Sequence, residues 1–260
     1  MKITILGARG SVPVNGSDYL EFGGSTSCVL VETDEEAIFL DAGTGIIHAP
    51  DVGEKNISVL ITHPHLDHLM GLPFFPYNGR AGRKIDVYGR TRGEDSVKDQ
   101  LDRLISPPYW PCTLSDFKAA YSFNELETPF VRGDVTIDAI ESRHPGGCLV
   151  YKLTADGKSV VYATDYEYCD ESASELTEFS KDADLLMIDG QYTDEEISTR
   201  KGYGHSTVMA GMSIMRQANA KSLRYVHHDP RHSDGMLKKM EDEVKSDRIA
   251  FAREGEVIVL

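Results

Sequence analysis

Thr62-His63-Pro64-His65-Leu66-Asp67-His68 puts three imidazoles and a carboxylate into six positions, directly after the apolar stretch Ser58-Val59-Leu60-Ile61. Residues i and i+2 at the end of an extended strand share one face. His63 and His65 can therefore grip one metal ion, while Asp67 and His68, entering the next helix, turn toward a second. One short segment thus starts a two-metal centre. Histidines that merely decorate a surface would need no strand in front, no fixed spacing and no further ligands downstream.

Further candidates follow along the chain. Asp165 closes Tyr162-Ala163-Thr164-Asp165, and His227 follows Leu223-Arg224-Tyr225-Val226. Both end short apolar, strand-like runs and so fall at the C-terminal rim of a sheet, where side chains converge on a cleft. His144 lies in Ser142-Arg143-His144-Pro145-Gly146-Gly147. Taken alone, a histidine before Pro-Gly-Gly reads as a turn residue, and an aspartate after a strand reads as a helix cap.

The pattern HxHxDH, with these residues behind it in this order, resembles the metallo-β-lactamase superfamily nearly end to end. The resemblance implies that His144 is the third histidine of the first ion, that Asp165 bridges both ions, and that His227 is the last ligand of the second. The first ion then takes His63, His65 and His144, and the second takes Asp67, His68 and His227. Imidazole and carboxylate donors suit zinc, and manganese or iron would also fit. Two divalent ions about 3.5–4 Å apart can acidify a shared water and clamp the oxygens of an in-line displacement at phosphorus, so the expected nucleophile is a bridging hydroxide. Asp67 could orient that water or accept its proton. Leu40-Asp41-Ala42-Gly43 resembles the family's buried aspartate turn, in which Asp41 could fix a ligand imidazole; a capping or turn role is the alternative.

Gly202-Tyr203-Gly204-His205-Ser206-Thr207 opens an apparent helix and resembles the His-Ser-Thr motif of the superfamily's phosphodiesterase branch, which includes RNase Z-like enzymes. A histidine ordinarily titrates near neutrality, so His205 is the candidate general acid for the departing oxygen. It could instead simply pack under its loop. Asp189, in Leu186-Met187-Ile188-Asp189, falls where that branch keeps an acidic residue, which the resemblance implies could hold the tautomer of His205. His227-His228-Asp229-Pro230 and Ala163-Thr164-Asp165-Tyr166-Glu167 resemble cyclic-nucleotide phosphodiesterase-like members. Spacing does not decide between His227 and His228; His227 is chosen as the first after the strand. Gly146 and Gly147 could bring backbone amides near a phosphate oxygen, or just make a turn.

Strand-like runs recur at Cys28–Val31, Ala37–Leu40, Val59–Thr62, Val135–Ile140, Leu149–Leu153, Ser159–Ala163 and Leu185–Ile188. Helical spacing falls near Glu94–Ile105, Ala173–Phe179, Thr207–Gln217 and Met236–Val244. This mixture suggests an α/β chain with two sheets packed face to face and helices outside, the αββα four-layer sandwich that the resemblance also implies. The segment 89–126 is the least regular and holds Tyr109 and Trp110. It is expected to act as a lid over the site, where an aromatic could stack on a base, or to pack a loop or subunit interface.

At 260 residues the chain fits one sizeable domain, 1–260, with a well-buried core. Its four cysteines form no CxxC pair, no signal segment follows Met1, and no apolar run is long enough to cross a bilayer. A cytoplasmic protein with free thiols is expected. The net charge of −15 argues against a polymeric nucleic acid and for a small phosphodiester, since backbone-gripping proteins present a stripe of Lys and Arg. The favoured reading is a dinuclear phosphodiesterase for a cyclic nucleotide or related cyclic phosphate. RNase Z-like tRNA 3′-processing is the first alternative, a glyoxalase II- or lactamase-type hydrolase the second, and a non-catalytic metal-binding scaffold the last. The resemblance also implies a homodimer.

Overall fold

The central strands read as unbroken apolar runs because both of their faces are covered. The computed structural model describes residues 1–244 and 246–260. Its strands are β1 (Lys2–Gly7), β2 (Cys28–Glu32), β3 (Glu36–Leu40), β4 (Asn56–Leu60), β5 (Lys84–Gly89), β6 (Ala120–Glu125), β7 (Phe130–Arg132), β8 (Val135–Ser142), β9 (Cys148–Ala155), β10 (Lys158–Ala163), β11 (Leu185–Asp189), β12 (Leu223–Val226), β13 (Ile249–Phe251) and β14 (Val257–Val259). Its α-helices are α1 (Leu66–Leu69), α2 (Val97–Leu104), α3 (Asp170–Phe179), α4 (Asp194–Ile197), α5 (Val208–Gln217) and α6 (Asp234–Val244).

Two seven-stranded sheets result, in the orders β14-β1-β2-β3-β4-β5-β6 and β13-β12-β11-β10-β9-β8-β7. Each is mixed. In the first, β3 to β6 run parallel and the rest antiparallel; in the second, β10 to β13 run parallel and the rest antiparallel. Alternation along the strands divides the core into three layers. Val29, Val31, Ile38 and Leu40 of the first sheet meet Ile137, Leu153, Tyr162 and Met187 of the second in the central layer. The opposite faces of the same strands, at Leu30 and Phe39, pack under α2 through Val97 and Leu101. Val161, Leu186 and Tyr225 pack under α3, α5 and α6. This is the expected αββα sandwich.

Two expectations are corrected. The strand before the histidines is Asn56–Leu60, not Val59–Thr62, because the Thr62 amide leaves the ladder to donate to Asp41 Oδ1 at 2.8 Å. The segment 89–126 is more regular than its composition suggests. It contains α2, opened by a Ser96/Asp99 capping box, and β6, which pairs with β5 over six residues at the edge of the first sheet.

Near the rim the sheets are stitched together. The Leu149 amide donates to Thr62 O at 3.0 Å, and Tyr151 Oη donates to Ile61 O at 2.7 Å. The carboxyl ends of β3, β4, β8, β10, β11 and β12 therefore open on one cleft.

Candidate metal centre

Three of the sequence-marked residues hold a left-handed backbone: Asp41 (φ 63°), Asp165 (φ 49°) and His227 (φ 61°). Each stands within two residues of a strand end and turns its side chain back over the rim. Such a conformation costs a non-glycine residue about 1–2 kcal/mol, and strain of this kind concentrates where surrounding contacts fix a working side chain.

The structure brings the seven expected ligands into two adjoining groups. Ring or carboxylate atoms of His63, His65, His144 and Asp165 lie within 4.8 Å of one another, as do those of Asp67, His68 and His227. Asp165 stands between them. Its Oδ2 is 3.5 Å from His63 Nε2 and 3.6 Å from His144 Nε2, while its Oδ1 is 3.2 Å from both His68 Nε2 and His227 Nε2. One carboxylate thus offers an oxygen to each half.

The outward nitrogens of four of these five rings are already committed. His68 Nδ1–H donates to Asp41 Oδ2 at 2.8 Å, His144 Nδ1–H to Gly204 O at 3.1 Å, and His227 Nδ1–H to Gln191 Oε1 at 2.8 Å. His63 Nδ1 meets Thr62 Oγ1 at 3.1 Å, whose hydroxyl passes its proton bond to Asp41 at 2.9 Å. That arrangement turns Nε2 of these four rings toward the carboxylates, the usual dress of a metal-binding imidazole, while His65 brings Nδ1 to 3.2 Å from His144 Nε2. His63 Nε2 and His68 Nε2 are buried with no hydrogen-bond partner, so the cluster can bind metal ions.

Electrostatics divides the two groups. Burial pushes the His63 imidazole well below its ordinary value and also lowers His65 and His144, which keeps all three neutral, the form that ligates. In the other group burial is outweighed by charge. Asp67, Asp165 and Asp41 raise His68 well above its ordinary value, Asp165 and Asp67 raise His227 to about 9, and the imidazoliums hold Asp67 and Asp165 well below the usual carboxylate range despite their burial. Two buried carboxylates there call for positive charge, which bound cations would supply.

His205 sits beside both groups, its ring stacked on that of His227 at 4.8 Å and edge-on to that of His144 at 5.3 Å. Its Nδ1–H donates to Asp189 Oδ2 at 2.7 Å. The rest of the motif is structural: the Ser206 hydroxyl donates to Tyr166 O, and Thr207 caps α5 by accepting from the Ala210 amide. His228 points away, donating Nε2–H to Ala252 O at 2.9 Å and stacking on Phe251; burial lowers its pKa to about 3. Geometry thus separates the pair that spacing left open. Gly146 and Gly147 form a turn, with the Gly147 amide donating to His144 O. Tyr109 and Trp110 line a cavity of about 670 Å³ with Pro64 and Leu66, the neighbours of His65.

Gln191, Thr62, the Gly204 carbonyl and the Ser11 amide, which donates to Asp67 Oδ2 at 2.7 Å, have no counterpart among the sequence candidates. Thr62 and Gly204 fall inside the quoted motifs, whereas Gln191 and Ser11 fall outside them.

Back-to-back mixed sheets with a histidine and aspartate cluster on their shared rim define the metallo-β-lactamase fold. The chain belongs to the beta-lactamase superfamily, whose domain model matches residues 36–228. It is 24% identical to the probable metallo-hydrolase YhfI of Bacillus subtilis over 235 residues, 87% of this chain and 86% of that protein. A crystal structure of YhfI superposes with a TM-score of 0.74 at 20% identity, over 99% of this chain and 98% of that one. Ribonuclease Z of Lactobacillus acidophilus is 26% identical over 237 residues, 74% of this chain and 75% of the relative. A diphosphatase from the PhnP family superposes with a TM-score of 0.73 at 17% identity, covering 100% and 97%. Among the described residues no helix is long and apolar enough to cross a membrane.

Proposed function

We propose that this metal-dependent hydrolase is a dinuclear phosphodiesterase acting on a small phosphodiester, with a cyclic nucleotide or related cyclic phosphate as the favoured substrate. The observation that carries the reading is the hydrogen bond of His205 Nδ1–H to Asp189 at 2.7 Å, placed beside the cluster. It leaves Nε2 free to take up a proton, and the ring, once protonated there, suits donation of that proton to the departing oxygen of an ester. His63, His65 and His144 would hold one ion, Asp67, His68 and His227 the other, and Asp165 both. Bound ions, zinc by donor type, would supply Lewis acidity toward the phosphoryl oxygens and a water. Asp67 would orient that water, and Asp189 would keep the His205 ring in one tautomer.

Hydrolysis of bis(p-nitrophenyl) phosphate by the metal-reconstituted protein is expected, with His205→Ala losing about 10²–10⁴-fold in kcat and Asp67→Ala losing activity together with metal. A panel of cyclic nucleotides then identifies the ester. Two bound ions with no phosphodiester turnover would overturn the reading in favour of thioester or lactam hydrolysis.

The relatives named ribonuclease Z weaken the expectation against polymeric nucleic acid that the charge suggested, and they support a second reading as a tRNA-processing endonuclease. Against it stand 42 acidic residues to 27 basic. Cleavage of a tRNA precursor at physiological salt would decide for it.

A further inference from the structure

We infer that Arg9 is a positioning residue for the second ion, acting through the loop Ala8–Ser11; the inference rests on the reading that Asp67, His68 and His227 hold that ion. Arg9 is fully buried, and its guanidinium serves as a clamp. Nε–H donates to Gly23 O at 2.8 Å, and Nη1 donates to Asp229 O at 3.2 Å and His232 O at 2.7 Å. Nη2 faces Asp234 Oδ1 at 3.8 Å and has no hydrogen-bond partner of its own. A guanidinium is costly to bury, and here it ties three carbonyls from two distant stretches to one short loop.

What the clamp holds is the far wall of the cluster. The Gly10 amide donates to His228 O at 3.0 Å, and a Cβ on Gly10 would lie 2.4 Å from ring atoms of His227, so the bare backbone rests directly on that imidazole. The next residue, Ser11, takes a left-handed backbone (φ 64°) and points its amide at Asp67 Oδ2. That same oxygen lies 3.0 Å from His227 Nε2 and 3.2 Å from His68 Nε2. Two of the three residues unique to the second group are thereby set by a loop that, among the described residues, makes no hydrogen bond or ion pair to His63, His65 or His144. Such outer contacts typically govern affinity 10–100-fold.

The test is competition titration of zinc into metal-stripped protein against a chromophoric chelator, comparing wild type with Arg9→Met and Arg9→Lys. Lysine keeps the charge but cannot span three carbonyls. Wild type is expected to take two ions. Both variants should bind one with unchanged affinity and the other 10–100-fold more weakly, a split that a general loss of stability does not produce. Should neither Arg9 variant fold, Gly10→Ala, which presses a methyl on the His227 ring, should give the same split. Folded variants that bind both ions as wild type does, or weaken both alike, would overturn the inference while leaving the two-ion reading intact. Wild type that takes up a single ion would sink both.

Discussion

At the scale of single residues the site is a set of imidazoles, four of which have their outer nitrogens spoken for, and Asp41 holds two of these, His68 directly and His63 through Thr62. Its two oxygens accept from the Thr62 amide and hydroxyl and from His68 Nδ1. Asparagine would offer one oxygen where two are used, and its amide would face a donor. Asp41→Asn is therefore expected to weaken metal binding about 10–100-fold, chiefly for the ion held by His68, and to cost the metal-free protein about 1–3 kcal/mol through the buried donor left unpaired. Calorimetric zinc titration and urea unfolding would check both effects; a folded variant with unaltered affinity would discard the role. Asp41 was marked in Leu40-Asp41-Ala42-Gly43 through its resemblance, as were His144, Asp165 and His227 as ligands, while the spacing of His63, His65, Asp67 and His68 after a strand marked the cluster directly. Gln191 and Ser11 were not, because their contacts span 36 and 56 residues and a side-chain amide or a backbone N–H leaves no local pattern.

Elements were legible in proportion to how far burial fills both faces. Cys28–Glu32 and Leu185–Asp189 read as strands because every residue is buried. Lys84–Gly89 did not stand out, since the charged Lys84 and Asp86 break its apolar run and Asp86, half-buried, pairs with Arg132 of the second sheet and with Ser122. The three-residue strands Ile249–Phe251 and Val257–Val259 are too short for a period to show. Where a strand is that short, something else must fasten it. On α6, Glu241 accepts from the Phe251 amide at 3.0 Å and from Arg253 at 2.9 and 2.8 Å. The hydrogen bonds from Arg253 lower its pKa to about 2 from an ordinary 4.5. Because the folded value is depressed, this latch stabilises the fold above about pH 4.5 and is lost as the pH falls through 2. Glu241→Gln should cost about 1–3 kcal/mol at neutral pH, and its stability should fall less steeply than that of wild type across this acid window. Parallel acid limbs in the two proteins would remove the latch from the account.

At the scale of the whole molecule, the candidate ligands come from both sheets. His63, His65, Asp67 and His68 follow β4 in the first, while His144, Asp165 and His227 follow strands of the second. An ion held by the cluster would therefore bind only the native juxtaposition of the two halves, and by mass action it must stabilise the fold. At a free concentration a thousandfold above Kd the gain is about 4 kcal/mol per ion. For a chain of this size each kcal/mol raises Tm by roughly 2–4 °C, so zinc is expected to raise Tm by about 8–16 °C per ion over the chelator-stripped protein. Variants separate this effect from nonspecific metal binding. Asp165→Asn removes the carboxylate shared by both groups and should lose most of the shift, whereas His205→Ala, whose ring hydrogen-bonds Asp189 and is assigned to proton transfer, should keep it while losing turnover. A Tm indifferent to zinc and chelator in the wild type would mean that the two sheets are not joined through metal. A shift lost equally in both variants would place His205 among the ligands and take the proton donor out of the proposed reaction.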